Sequence, residues 1–264
     1  MVAIGVRILV FLVIVYVGLA VIIFVQQGKF IFPAPQSEYP PAPGYEAVTL
    51  ETADGLSLTA HWHQRQADQP VLVHFHGNAG DLSGATAENQ LFAKQGFGVL
   101  LVEYRGYGGN PGTPSETGFR EDGRAALAFL KDRSVPPERI VIKGHSIGTG
   151  TAVNMASELD AAALILVAPF TSIPDLLAQK MPIFPMRMLV SERFDNRAKL
   201  PKLTMPILVQ HGTGDTVIPV SHGRALSEAG PNALFQSFDR AGHDLTFDRE
   251  VQVAQSQWLE SLGL

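Results

Sequence analysis

Gly144-His145-Ser146-Ile147-Gly148 restricts what this chain can fold into more than any other five residues in it. The segment follows a β-branched run at 140–143 that reads as a buried strand, and it opens a stretch at 147–158 that reads as a helix. A G-x-S-x-G sequence on its own arises by chance, but between a strand and a helix it acquires a mechanical meaning. The serine must sit on a turn so sharp that side chains two residues before and after it would collide, which accounts for both glycines. Its hydroxyl then projects into solvent at the end of a sheet, beside a helix amino terminus that favours negative charge.

The rest of the chain supplies such a sheet. From Tyr45 onward, short β-branched runs alternate with longer amphipathic stretches, the pattern of a mainly parallel sheet with helices on both faces. Strands are predicted at 47–51, 56–63, 71–75, 98–104, 140–143, 162–167, 207–210 and 233–238. The first two form an antiparallel hairpin through Ala53-Asp54-Gly55, because Asp-Gly supplies the positive φ angles of a tight turn. Helices are predicted at 85–95, 116–132, 147–158, 221–229 and 249–262. The chain has 264 residues, so one domain of ordinary size remains once the apolar start is set aside.

A serine hydroxyl is a weak nucleophile at neutral pH. It needs a base, and an acid must hold that base in one tautomer. Residues 207–215 read as a strand running into a Gly-rich loop that ends at Asp215, and residues 235–243 as another that ends at His243. His222 is the other downstream histidine, but it falls within a predicted helix only seven residues after Asp215. Asp239 and Asp244 remain local alternatives for the acid, although adjacency to His243 does not favour a side-on hydrogen bond to its ring. The expected catalytic set is Ser146, His243 and Asp215. An oxyanion needs two N–H donors. Ile147 N–H supplies one, and Asn78 N–H, in the turn His76-Gly77-Asn78-Ala79-Gly80 after the 71–75 strand, supplies the other.

A second Gly-rich loop, Glu103 to Gly112, lacks the P-loop and dinucleotide patterns. Arg105 is expected to brace loops through backbone carbonyls, while His76, Tyr104 and Tyr107 are candidate pocket residues. Residues 171–201 fit neither periodicity, being apolar but broken by Pro182 and Pro185. They read as a small cap over the site, with Phe184 and Met186 facing substrate; an irregular core segment is the alternative. His61-x-His63 and His74-x-His76 resemble metal pairs without a third ligand cluster, so no metal and no cofactor are expected.

Residues 8–25 form an uninterrupted apolar run without charge, about 27 Å long as a helix against a hydrocarbon core of about 30 Å. It reads as a single membrane-spanning anchor, residues 1–29. A cleaved signal peptide would require a cut near Gly18-Leu19-Ala20, in the middle of the run. Arg7 and the amino terminus outweigh Lys29, which leans towards an extracytoplasmic domain. Residues 30–44, with five prolines, read as a stiff stalk leading to a domain at 45–264. Phe30 and Phe32 either anchor at the headgroups or pack under the domain. The net charge of −5 and the lack of a basic tract argue against nucleic-acid partners. The absence of cysteine rules out disulfides, a thiolate metal site and a cysteine nucleophile.

Taken together, Phe32-Pro33, His76-Gly77-Asn78-Ala79-Gly80, Tyr104-Arg105-Gly106-Tyr107-Gly108, Pro114-Ser115-Glu116, Gly144-His145-Ser146-Ile147-Gly148, His211-Gly212 with Asp215 and Ile218-Pro219, and Gly242-His243 resemble the membrane-anchored α/β-hydrolase domain-containing proteins, also labelled serine aminopeptidase-like. Glu103 stands where that group often has Asp, and Asn110 where it often has Ser. The resemblance implies an α/β-hydrolase fold with an eight-stranded sheet. It also implies esterase, lysophospholipase or depalmitoylating thioesterase activity on small-molecule or lipid-derived acyl substrates. A peptidase or amidase would use the same machinery, and a non-catalytic binding protein on the same fold is the alternative of another class.

Overall fold

The computed structural model describes residues 2–264. Its centre is an eight-stranded sheet in the order β1-β2-β4-β3-β5-β6-β7-β8. The strands are β1 (Glu46–Glu51), β2 (Ser57–His63), β3 (Val71–Phe75), β4 (Gly98–Val102), β5 (Ile140–His145), β6 (Ala163–Val167), β7 (Ile207–Gly212) and β8 (Ala233–Phe238). β1 and β2 form the expected antiparallel hairpin, with Gly55 at φ +88°, and β2 meets β4 antiparallel. β3 to β8 are mutually parallel.

Strict alternation along the parallel strands divides the core in two. Val71, Val73 and Phe75 face one apolar cluster with Leu100, Ile142, Leu166 and Val209, while Leu72 faces the other with Leu101, Val141, Ile165 and Leu208. Helices α3 (Glu116–Asp132), α4 (Gly148–Ala156) and α8 (Val220–Ala229) cover the first face; α2 (Leu82–Lys94) and α9 (Arg249–Ser261) cover the second. Both faces are dry, which is why these strands read as continuous hydrophobic runs. Two of the helices begin at side-chain caps, Asp81 accepting from Gly84 N–H at 2.8 Å and Ser115 from Gly118 N–H at 3.0 Å.

From β3 the chain first adds β4 on one side, then returns to add β5 on the other. That reversal opens a crevice at the carboxyl ends of β3 and β5, the place where open α/β sheets bind ligands.

The first helix, α1 (Val2–Ile31), is longer than the predicted 8–25 run, continuing through Gln26-Gln27-Gly28-Lys29 to Ile31. The 30–44 segment is not a free-standing stalk. Gly108 N–H donates to the Pro35 carbonyl at 2.9 Å and Gln36 Nε2 to the Gly106 carbonyl at 2.6 Å, so the proline-rich backbone lies along the domain. Proline leaves carbonyls free as acceptors, and the adjacent Gly-rich loop supplies the donors. Phe32 is buried against Phe119, whereas Phe30 is 71% exposed. Residues 171–201 form three short helices, α5 (Ile173–Lys180), α6 (Met186–Leu189) and α7 (Asn196–Lys199).

Candidate active site

Ser146 occupies the turn between β5 and α4 at φ +52°, a left-handed conformation that costs a non-glycine residue about 1–3 kcal/mol. Its surroundings enforce that conformation. Ser146 N–H donates to the Val167 carbonyl at 3.0 Å, and a Cβ on Gly148 would run into the carbonyl oxygen of Phe75. A Cβ on Gly144 would meet Gly148 backbone in the same way, so neither position admits another residue without moving the turn.

The loops after β7 and β8 bring two further side chains to this serine. His243 Nε2 lies 2.9 Å from Ser146 Oγ, and His243 Nδ1 lies 2.8 Å from Asp215 Oδ2. Asp215 Oδ1 accepts the N–H groups of Val217 and Ile218, each at 2.8 Å. Burial by itself would raise the Asp215 carboxyl. Hydrogen bonds from His211 and His243 and from the Ile218 amide outweigh it, holding the group well below the usual carboxylate range. An ionised Asp215 fixes the proton of His243 on Nδ1 and leaves Nε2 free to accept from Ser146. Of the alternatives, Asp239 accepts from Thr213 Oγ1 and the His222 ring is held by Thr171, while Asp244 lines the cavity but it is Asp215 that meets the His243 ring.

The N–H groups of Asn78 and Ile147 find no acceptor among the described residues, and both residues line the cavity in front of Ser146. The Asn78 side chain is clamped, its Nδ2 donating to the Ile31 carbonyl at 2.6 Å and its Oδ1 accepting from Tyr107 O–H at 2.7 Å. Below this loop, His76 Nδ1 faces the Gly77 carbonyl and Nε2 faces Glu103 Oε1, both at 2.7 Å. Both ring nitrogens thus face acceptor groups, which favours the doubly protonated form of His76. Burial lowers its pKa, but the field and hydrogen bond of Glu103 and the Gly77 carbonyl more than offset burial and leave it raised.

The cavity has a volume of about 700 Å³. Its apolar wall comes largely from residues 171–201, through Ile173, Leu176, Leu177, Met181, Met186 and Val190. Of the expected pocket residues, Met186 is the one that lines it. His76, Tyr104 and Tyr107 are fully buried behind the loop that carries Asn78 and do not reach the cavity. β4 ends at Val102, two residues earlier than predicted, so the chain turns inward there. Tyr104 stacks on Phe119 of α3 at 4.0 Å and donates to the His76 carbonyl at 2.9 Å. Phe184 also faces away from the cavity, stacking on Tyr16 of α1 at 5.1 Å. Arg105 binds carboxylates rather than carbonyls: Nε meets Asp122 and Nη1 meets Asp54, both at 2.7 Å. His74 and His76 pair with different carboxylates, Glu88 and Glu103.

Sequence patterns missed two contributors. Glu88 lies on α2 at the rear of the site, buried between His74 and His145 and accepting Thr246 O–H at 2.8 Å. Its signal was present, since Leu82, Ala85 and Phe92 define an apolar stripe and a carboxylate falls within it. The other is α1, whose Ile23, Gln27, Phe30 and Ile31 form one wall of the cavity. No local pattern in an apolar helix marks which face will dock.

Comparison with known proteins gives the arrangement its context. Residues 70–190 match the family model described as alpha/beta hydrolase fold, a stretch that runs from β3 past Ser146 into α6. An uncharacterized protein of Mycobacterium tuberculosis is 35% identical over 219 residues, covering 80% of this chain and 78% of that one. The lysophosphatidylserine lipase ABHD12 of Danio rerio is 30% identical over 210 residues, covering 71% of this chain and 54% of the relative. The solved structure of the Pyrococcus furiosus esterase Pf2001 superposes with a TM-score of 0.72 at 20% identity, covering 86% of this chain and 96% of the other. By sequence and by fold alike, this chain belongs to the α/β hydrolase fold family.

Proposed function

We propose that this chain is a serine hydrolase that cleaves carboxylic ester or thioester bonds of lipid-derived acyl substrates through an acyl-Ser146 intermediate. The observation that carries the reading is the hydrogen-bonded chain from Asp215 through His243 to Ser146, at 2.8 and 2.9 Å.

In this mechanism Ser146 Oγ attacks the substrate carbonyl carbon as its proton passes to His243 Nε2. The carbonyl oxygen becomes an oxyanion that accepts from Asn78 N–H and Ile147 N–H, at the amino end of α4. Collapse of the tetrahedral species breaks the bond to the alcohol or thiol, which takes the proton from His243. Water then gives a proton to His243 and attacks the acyl-serine; a second collapse frees the carboxylic acid and returns the proton to Ser146. Asp215 remains ionised throughout and stabilises the imidazolium of each step.

The lipid element rests on the cavity, whose volume falls within the roughly 300–1,000 Å³ of small-molecule sites and whose walls are mainly aliphatic. The relatives named as a lipase and an esterase support ester over amide chemistry. On the same reading residues 1–29 are a membrane anchor, 30–44 a connecting segment and 45–264 the hydrolase domain, with 171–201 its cap. Arg7 and the amino terminus, set against Lys29, support an extracytoplasmic position for that domain.

A fluorophosphonate probe tests the assignment. The full-length chain is expected to be labelled, and Ser146→Ala to lose labelling and about 10⁴–10⁶ in kcat. Labelling retained in Ser146→Ala would overturn it. Rates on matched ester, thioester and amide substrates then separate the reaction types, and an optimum at short acyl chains would refute the lipid element.

A further inference from the structure

Helix α1 is divided along its length. From Val2 to Val15 every residue is exposed, whereas from Tyr16 onward one stripe meets the domain. Tyr16, Ala20, Ile23, Gln27 and Ile31 recur at spacings of four, three, four and four, a single face of a helix. Tyr16 stacks on Phe184, and its hydroxyl donates to the Ile183 carbonyl at 2.8 Å. Gln27 Nε2 donates to the Leu189 carbonyl at 3.3 Å, and Gln27 Oε1 accepts from Ser191 N–H at 2.7 Å. The far end of the stripe is tied to the oxyanion loop through the bond from Asn78 Nδ2 to the Ile31 carbonyl.

This docking conflicts with an anchor that keeps its domain wholly in water. The undocked part, residues 2–15, is about 21 Å long and contains Arg7, too short for a hydrocarbon core of about 30 Å. The uncharged run at 8–25 has the necessary length, but Tyr16 lies nine residues inside its domain-side end, about 14 Å deep at 1.5 Å per residue. If that run crosses the bilayer, whatever touches Tyr16 sits in the hydrocarbon as well. The side chains at this place fit such surroundings: Ile183 is 71% exposed and Met188 is 85% exposed, unusual for large apolar residues facing water. The nearby Arg187 is tied to Asp175 at 2.6 Å, and its long side chain can hold its charge at headgroup level.

We propose that the turn at 181–189 inserts into the acyl region of one leaflet beside α1, and that membrane-resident acyl lipids reach Ser146 sideways from that leaflet along the α1 wall of the cavity. The proposal rests on α1 crossing the membrane and on Ser146 being the nucleophile. Ile23, two residues inside the domain-side end of the apolar run, lines both α1 and the cavity, so the pocket opens at the depth where acyl chains begin. A lipid ester then need not pass through water, and the anchor is part of the substrate site as well as a tether.

Because the chain has no cysteine, single-cysteine variants report depth directly. Full-length Ile14→Cys, Ile183→Cys, Met188→Cys and Glu138→Cys, the last at the opposite end of the sheet, are labelled with an environment-sensitive fluorophore in phosphatidylcholine nanodiscs. Spin-labelled lipids are expected to quench positions 14, 183 and 188, and aqueous iodide to quench position 138 alone. Iodide quenching at 183 and 188 but not at 14 would leave the anchor standing and overturn leaflet insertion; iodide quenching at 14 as well would remove the anchor and the proposal with it. The Ile183→Asp/Met188→Asp double variant, changed outside the cavity lining, is expected to lose at least about tenfold in hydrolysis of a lipid ester in vesicles, with hydrolysis of a soluble p-nitrophenyl ester unchanged. An equal effect on both substrates, or none on either, would overturn lateral delivery. A wild-type chain inactive on the soluble ester would instead refute the hydrolase reading.

Discussion

Nε2 of His145 lies 3.2 Å from the carbonyl oxygen of His243, and its Nδ1 faces Glu88 at 3.8 Å. The residue before the candidate nucleophile is thereby connected to the backbone of the candidate base, and both are braced by one carboxylate on α2. Thr246, three residues after His243, binds that same carboxylate at 2.8 Å. Burial disfavours the Glu88 anion, but His74 and His145 outweigh burial and hold its pKa well below the usual range.

Glu88 is therefore a positioning residue for the His243 loop. Glu88→Gln is expected to lower kcat by about ten- to a hundredfold through misplacement of the base, with KM unchanged. Stability should fall by about 1–3 kcal/mol as buried donors lose their acceptor. Steady-state kinetics and urea unfolding check both; a rise in KM with kcat intact would refute the positioning role.

The raised pKa of His76 gives a pH dependence of definite sign. Its contribution to stability is complete below the unfolded value of about 6.5 and is lost as pH rises through the higher folded value. Urea midpoints of the wild-type chain should decline from pH 6 towards pH 9, and His76→Gln should flatten that slope. A variant that keeps the wild-type slope would show that another group titrates.

For Asp215, whose folded pKa is depressed, the sign is reversed. Stability from this group is present above about 3.9 and lost as pH falls towards the folded value. Asp215→Asn is expected to reduce kcat by about 10⁴ through loss of the correct His243 tautomer. The variant should be less stable than the wild-type chain at pH 7, with the difference shrinking below pH 4. Unfolding measured at both pH values, alongside kinetics, provides the check.

Arg105 links the turn of the first hairpin to α3 by binding Asp54 and the fully buried Asp122. Arg105→Ala leaves the Asp122 carboxyl buried without its cation and should cost about 3–5 kcal/mol. Because Arg105 lies outside the cavity, folded enzyme should retain its KM. A melting temperature unchanged by the substitution would refute the bracing role.

Much of the fold was legible because its determinants are contiguous. Alternating and continuous apolar runs marked all eight strands, with errors confined to ends such as 98–104, where β4 stops at Val102 and Tyr104 turns inward onto Phe119. Ser146, Asp215 and His243 could be singled out because each lies on a Gly-bearing loop after a strand, and parallel strands deliver all such loops to one edge. Glu88 carried a weaker signal, a charge in an apolar helical stripe, which marks a buried partner without naming it.

What surrounds those three residues depends on contacts between distant segments. Tyr104 and Tyr107 read as pocket residues from their loop, but aromatic packing against α3 and hydrogen bonds to His76 and Asn78 turn them into supports beneath it. The same holds for the amino-terminal helix. The sequence by itself determined that residues 8–25 are long and apolar enough to cross a bilayer, because length and hydropathy are sums over neighbouring residues. Only the tertiary structure decided that Tyr16, Ala20, Ile23, Gln27 and Ile31 turn towards the domain, and that Ile23, Gln27 and Ile31 among them close one side of the cavity. A helix apolar all round has no preferred face until another surface meets it, and here that surface comes from residues about 160 positions further along the chain.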